Sequence, residues 1–243
     1  MQRVDALEIL DSDSCSASDV QRALEVLGLV NRWFGGVATT QKMAERVARA
    51  TELKHLSLLE VAAGLGEVPE MVRQRLARRG ITLDVTLLDR ARSHLPEGNR
   101  GGENHIPEHH AVVADARSLP FGDGAFDLVS CSLFAHHLNL QQLAQFAREA
   151  LRVSRRAVLI NDLIRHPVHL ALVYASYPIM RSRVAWLDGL TSVRRAYVPQ
   201  EIRSALASAL PPEAAAQVEI SRHYLFRMGV IVWKRPVERT RTA

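Results

Sequence analysis

Leu58-Leu59-Glu60-Val61-Ala62-Ala63-Gly64-Leu65-Gly66 is an apolar run that ends in an acid and then turns through small residues. Leu56 to Val61 reads as a short buried strand, and Gly66 to Arg79 as an amphipathic helix with Val68, Met71, Val72 and Leu76 on one face. Pro69 suits the first turn of that helix and Gly80 ends it. At such a strand-turn-helix junction small residues let the backbone approach a ligand, and the free N–H groups of the first helical turn face it. Glycines also occur in α/β turns for conformational reasons alone, so the reading depends on the strands further along the chain.

Three features stand at suitable distances. Twenty-nine residues after Glu60 the strand Leu83 to Leu88 ends in Asp89, where a carboxylate can accept hydrogen bonds from both hydroxyls of a ribose. The strand Ala111 to Ala114 ends in Asp115-Ala116, an acid followed by a backbone N–H beside the apolar Leu119-Pro120-Phe121, a setting for an adenine edge. Phe126 to Cys131 reads as a further strand. Each acid alone could equally cap a helix or sit in a turn. Their shared place after successive strands points to one ligand site, because open α/β sheets bind at the carboxyl ends of their strands.

On these segments, EVAAGLG (Glu60 to Gly66), LLD (Leu87 to Asp89), ADARSLPFGDGAFDLVSCSLFAHHL (Ala114 to Leu138) and REALRVSRR (Arg148 to Arg156), the chain resembles the class I S-adenosylmethionine-dependent methyltransferases. Specifically, it is similar to the type 11 group that includes the ubiquinone and menaquinone biosynthesis enzymes. The resemblance implies an α/β, Rossmann-like fold: a seven-stranded, mostly parallel sheet with an antiparallel last strand and helices on both faces, plus an N-terminal helical cap and a helical insertion after strand 5. It also implies S-adenosyl-L-methionine as cofactor and S-adenosyl-L-homocysteine as product. Carried over, Glu60 lies near the methionine moiety, and Ala62, Gly64 and Gly66 form the cofactor turn. Asp89, with Arg90 beside it, binds the ribose, and Asp115 and the Ala116 N–H read adenine. Ser130 and Cys131 lead under the cofactor. Ala62 replaces the first glycine of the family's turn, which is harmless provided the turn takes no positive φ there. The segment Ser130-Cys131-Ser132-Leu133 lacks the Asn-Pro-Pro-Tyr pattern of enzymes that methylate base or glutamine nitrogens.

The expected organisation is a mobile segment over residues 1–18, a helical cap over 19–55 with Asp19 capping its first helix, the methyltransferase domain over 56–235, and a basic tail over 236–243. Asn31, Trp33 and Phe34 are lid candidates or a packing turn. The long connection 163–199 is apolar in its first half and is expected to hold the acceptor. Tyr224 to Trp233 reads as the last strand, purely structural. Hydrophobic residues make up 47% of the 243 and charged residues 23%, ordinary for a globular protein. Cys15 and Cys131 are too few and too far apart for a disulfide framework, and a reducing cytoplasm fits. No apolar run reaches the ~18 residues of a membrane span.

A pI near 9.7 invites a nucleic-acid reading. Residues 234–243 contribute +3 and residues 1–20 contribute −4, so the remaining +6 is spread along the chain, and aromatics are only 5%. A solvated basic surface therefore explains the charge better than a platform for stacked bases, and no nucleic-acid partner is expected. The expected activity is methyl transfer to oxygen, or carbon, of a small apolar metabolite such as a phenolic polyketide or quinone precursor, in secondary metabolism. A non-catalytic S-adenosylmethionine-binding partner or regulatory protein and an RNA methyltransferase are the alternatives. A phenol of pKa ~10 is only about one part in a thousand ionised at pH 7, so a base helps. His136, His137, Asp162, His166 and His169 are candidates, with His137, His166 and Asp162 preferred as catalytic. No metal is expected: the transfer requires none, and the loop holding His105, His109 and His110 offers no fixed ligand geometry.

Overall fold

The computed structural model describes residues 1–11, 17–95, 110–180, 182–215 and 217–234. The opening strand, β1 (His55–Val61), explains the architecture. Its alternate side chains feed two separate cores, Leu59 and Val61 on one face and Leu56 and Leu58 on the other, all at most 1% exposed. A strand buried on both sides must lie inside a sheet covered by helices on both faces. The second core is closed by α2 (Gly36–Thr51) and α3 (Glu67–Ala77) through Met43, Val47, Val72 and Leu76. The first is closed by α4 (Leu140–Val153) and α7 (Pro199–Ala209) through Leu143, Phe146, Ile202 and Leu206.

Around β1 stand β2 (Thr82–Asp89), β3 (His110–Val113), β4 (Phe126–Ser132), β5 (Ser154–Leu163), β6 (Val218–His223) and β7 (Arg227–Trp233). The sheet order is β3-β2-β1-β4-β5-β7-β6, parallel throughout except for β7, which runs antiparallel to both neighbours. The expected α/β sheet with its reversed last strand is present. Order reverses at β1 and β4, and the carboxyl ends of these strands open a crevice there. Strand β5 runs on as far as Leu163 because β7 pairs with it there.

The N-terminal cap is α1 (Ala17–Trp33) followed by α2. Helix α1 starts two residues before Asp19, which lies in its first turn rather than at its cap. The cap is tied to the sheet by polar bonds: Asn161 Nδ2 donates to the Gly36 carbonyl at 2.8 Å and to Thr40 Oγ1 at 2.9 Å. Arg227, fully buried on β7, donates to Asn31 Oδ1 at 2.9 Å, so the last strand is not purely apolar. Burial pushes the Arg227 guanidinium down to about 10.

Residues 1–11 correct the expectation of a mobile segment. Arg3 donates to the carbonyls of Arg195, His136 and Leu138 at 2.6–3.0 Å and lies over the Tyr197 ring. The Asp188 carboxylate accepts from the N–H groups of Ile9 and Leu10 at 2.6 and 3.0 Å. These bonds satisfy backbone groups that water would otherwise have to satisfy, and they hold the arm against α6 (Arg183–Arg195). Cys15, His105, His109 and the tail 236–243 lie outside the described residues. Among the described residues no helix is long and apolar enough to cross a membrane.

Candidate active site

At the carboxyl ends of β1, β2 and β4 lies a cavity of about 500 Å³. Glu60, Ala62, Gly64, Asp89, Arg90, Asp115 and Ala116 all line it, as the resemblance implied. Glu60 is 1% exposed and its Oε2 has no hydrogen-bond partner. Burial, offset only in part by the Ser130 and Ser132 hydroxyls, pushes its carboxyl up to about 7. A buried acid with an orphaned oxygen at a cavity wall suits a cationic ligand group. A Cβ added at Gly64 would meet nothing within 4 Å, so the backbone there is open to the cavity.

Asp89 is 8% exposed and accepts the Gly64 and Ala91 N–H groups, both at 3.0 Å. Burial works to raise its carboxyl, but the His94 ring and these two N–H groups hold it below the ordinary range. It therefore stays ionised while fixing the turn. Asp115 is held by Arg117, with a shortest contact of 2.6 Å, and this pair depresses its carboxyl to about 2. An adenine amino group would share Asp115 with that guanidinium.

Three expected cofactor residues do not line the cavity. Gly66 serves packing, since a Cβ there would come within 2.7 Å of Leu87 Cδ1. Ser130 and Cys131 are 0% exposed because β4 continues to Ser132, so Cys131 points into the core and Ser132, Leu133 and Phe134 form the wall. The turn also departs from expectation at Ala62, whose φ is +54°. Left-handed backbone costs an L-residue about 1–2 kcal/mol. Glycine gives back about 0.4–1 kcal/mol of this through the unfolded chain. Ala62→Gly should thus stabilise the fold by about 0.5–1 kcal/mol in urea denaturation, and an unchanged midpoint would mean that the strain is absorbed elsewhere.

The expected catalytic residues separate. His137 lines the cavity with its side chain 22% exposed. Asp162 is buried and does not reach the cavity: its Oδ1 meets His136 Nδ1 at 2.6 Å and the Leu163 N–H at 2.7 Å, and its Oδ2 accepts the His136 N–H at 2.9 Å. His136 is fully buried, which lowers its affinity for a proton, yet Asp162 and Glu8 raise its imidazole to about 9. His166 lies elsewhere. It starts α5 (Pro167–Ala175), stacks on Phe226 at 4.8 Å and borders a different cavity, because β5 carries the chain past the sheet edge before α5 begins. His169 stacks on the same ring.

The remaining walls come from the arm, to which sequence reasoning gave no role, and from the first cap helix, whose Leu24 and Leu27 it read as inward-facing. Leu7, Glu8 and Leu10 of the arm and Leu24, Leu27 and Gly28 of α1 close the cavity, with Leu138 and Arg195. Among the described residues of the insertion 163–199, only Arg195 reaches it. Asn31 lines the cavity, whereas Trp33 and Phe34 are 69% and 48% exposed and do not. A signal for the arm existed in the half-buried Ile9 and Leu10, whereas Leu7 is 80% exposed.

Residues 59–160 match a family described as a methyltransferase domain, the type 11 group. The chain therefore carries a methyltransferase domain over these residues. Among solved structures, this chain is similar to the plantazolicin methyltransferase BpumL in complex with SAH, at 11% identity over 93% of each chain with a TM-score of 0.64. It is similar to human N-acetylserotonin methyltransferase in complex with SAM, at 13% identity over 90% of this chain and 57% of that one, TM-score 0.57. It also resembles magnesium protoporphyrin IX methyltransferase from Synechocystis PCC 6803 with bound SAH, at 13% identity over 83% and 84% of the chains, TM-score 0.50. At these identities the likeness is one of fold. No curated protein matches the methyltransferase sequence.

Proposed function

We propose that this methyltransferase transfers a methyl group to an oxygen, or a carbon, of a small apolar metabolite such as a phenol or quinone precursor. The observation that carries this reading is the continuity of one cavity. Its polar end is built by Glu60, Gly64, Asp89 and Asp115, and beyond it the apolar Leu24, Leu27, Phe134 and Leu138 alternate with Glu8, His137 and Arg195. S-adenosylmethionine, when bound, supplies an activated sulfonium methyl. Glu60 would take its ammonium, Asp89 the ribose hydroxyls, and Asp115 with the Ala116 N–H the adenine edge. The chain's further task is to align the acceptor and exclude water. The arm and α1 would perform this, α1 belonging to the N-terminal cap expected to cover the pocket. His137 is the histidine placed to meet the acceptor's polar group.

Glu60 provides the test. An ammonium needs the carboxylate, and Glu60 ionises near 7 in the free protein. With a folded pKa above the acid's ordinary 4.5, its neutral form favours the fold at low pH, and that contribution is lost as pH rises from 4.5 through 7. Binding of an ammonium opposes the loss and releases a proton below pH 7. Calorimetry with S-adenosylmethionine should therefore show affinity about 10-fold weaker at pH 6 than at pH 8, with proton release at pH 6 seen as a dependence of the heat on buffer ionisation. Glu60→Gln should abolish the pH dependence. Absence of binding at either pH would overturn the placement of the cofactor.

A further inference from the structure

We infer that Glu8, His136 and His137 form a site for a divalent transition-metal ion of the zinc type, with one coordination position open to the chamber. The ion site itself stands on geometry alone; its use for the acceptor rests on the reading above. The donors are two imidazoles and a carboxylate, a set that suits zinc, cobalt and nickel rather than magnesium or calcium. His136 Nε2 lies 3.3 Å from Glu8 Oε1, and His137 Nε2 lies 3.5 Å from Glu8 Oε2. One donor atom from each residue falls within 4.8 Å of the others. Bonds of about 2.1 Å in a tetrahedron place donors ~3.4 Å apart, so an ion between them needs little movement.

Two further observations point to an ion. His136 Nε2 is buried and, among the described residues, lies 3.3 Å from Glu8 Oε1 without a well-formed hydrogen bond. Its other nitrogen, Nδ1, meets Asp162 Oδ1 at 2.6 Å, and Asp162 is fixed in turn by the Leu163 N–H. A carboxylate on Nδ1 holds the proton there, so that an ion need displace only the Nε2 proton, the arrangement found behind metal-bound histidines. Asp162 is thus a positioning residue. Glu8 is steadied by the Ser192 hydroxyl at 2.8 Å. A protonated His136 between two carboxylates accounts for that histidine alone; it gives no reason for His137 to converge on the second oxygen of the same carboxylate.

Three protein donors leave a coordination position open, as in catalytic rather than structural zinc sites. Glu8 and His137 both line the chamber, so that position faces the acceptor. An ion there binds an acceptor oxygen and lowers its pKa, which assigns the acceptor class as one with a hydroxyl or phenol rather than a bare carbon. His137 then acts as a ligand, and the expectation of a metal-free site is revised.

The test uses the tag-free full chain, stripped with chelator and titrated with Co²⁺ while its visible ligand-field absorption is followed. One cobalt per chain with the absorption of a low-coordinate site is expected, displaced by Zn²⁺. Glu8→Gln and His137→Gln should each weaken cobalt affinity beyond the roughly 10–100-fold that loss of an outer-shell partner costs, and Asp162→Asn by about that range. Circular dichroism confirms that each variant is folded. Failure of the wild-type chain to bind one cobalt, or unchanged affinity in both ligand variants, overturns the site and leaves a buried ion triad. Calorimetry of the stripped protein with S-adenosylmethionine keeps the two readings apart: cofactor binding without cobalt binding overturns the ion site alone, and the converse overturns the cofactor placement alone.

Discussion

Replacing Asp162 with alanine should lower the free energy of unfolding by about 3–5 kcal/mol, the cost of stranding a buried charge by removing its partner. Asp162 and His136 are 2% and 1% exposed, so water cannot replace the lost carboxylate. The substitution also orphans the His136 and Leu163 N–H groups, each of which now bonds to it at 2.9 Å or less. Urea denaturation with an unchanged slope reads the loss directly. A loss below about 1 kcal/mol, the level of an exposed pair, would mean that His136 is uncharged and self-sufficient in the fold.

The second large effect is on turnover. His137→Ala should reduce kcat by about 10²–10⁴-fold with a phenolic acceptor while leaving affinity for S-adenosylmethionine within a few-fold of the parent. The separation arises from position: His137 stands beside Glu8 and Phe134, its ring 6.4 Å from the latter, whereas the acids proposed to hold the cofactor lie on β1, β2 and the turn after β3. His166→Ala, by contrast, should leave kcat unchanged, since His166 borders the other cavity. Equal losses in both variants would show that the histidines act through the fold rather than at the acceptor.

The fold was legible because its signals are local. Two-sided apolar strands, a glycine after the helix at Gly80 and acids at strand ends report the sheet and its ligand-binding edge within a few residues of each other. Glu60, Asp89 and Asp115 were found for that reason. What escaped depends on distance or on exact register. The arm is held by Asp188 bonds to Ile9 and Leu10 that span 179 and 178 residues, which no local pattern announces. Asp162 looked accessible at the end of a strand, but its partner His136 comes from the turn after β4 and seals it inward. One additional residue in β4 moved the wall from Ser130 and Cys131 to Ser132 and Leu133. At Ala62 the residue type was read correctly, but its backbone sign was not, because only the closed turn imposes it.

The arm has a practical consequence. Arg165 Nε donates to the Met1 carbonyl at 3.0 Å, and six residues later Leu7 and Glu8 are already part of the chamber wall. A purification handle fused ahead of Met1 is therefore joined close to the reaction vessel rather than to a distant end of the polypeptide, and assays with and without it read whether the vessel's lining is disturbed.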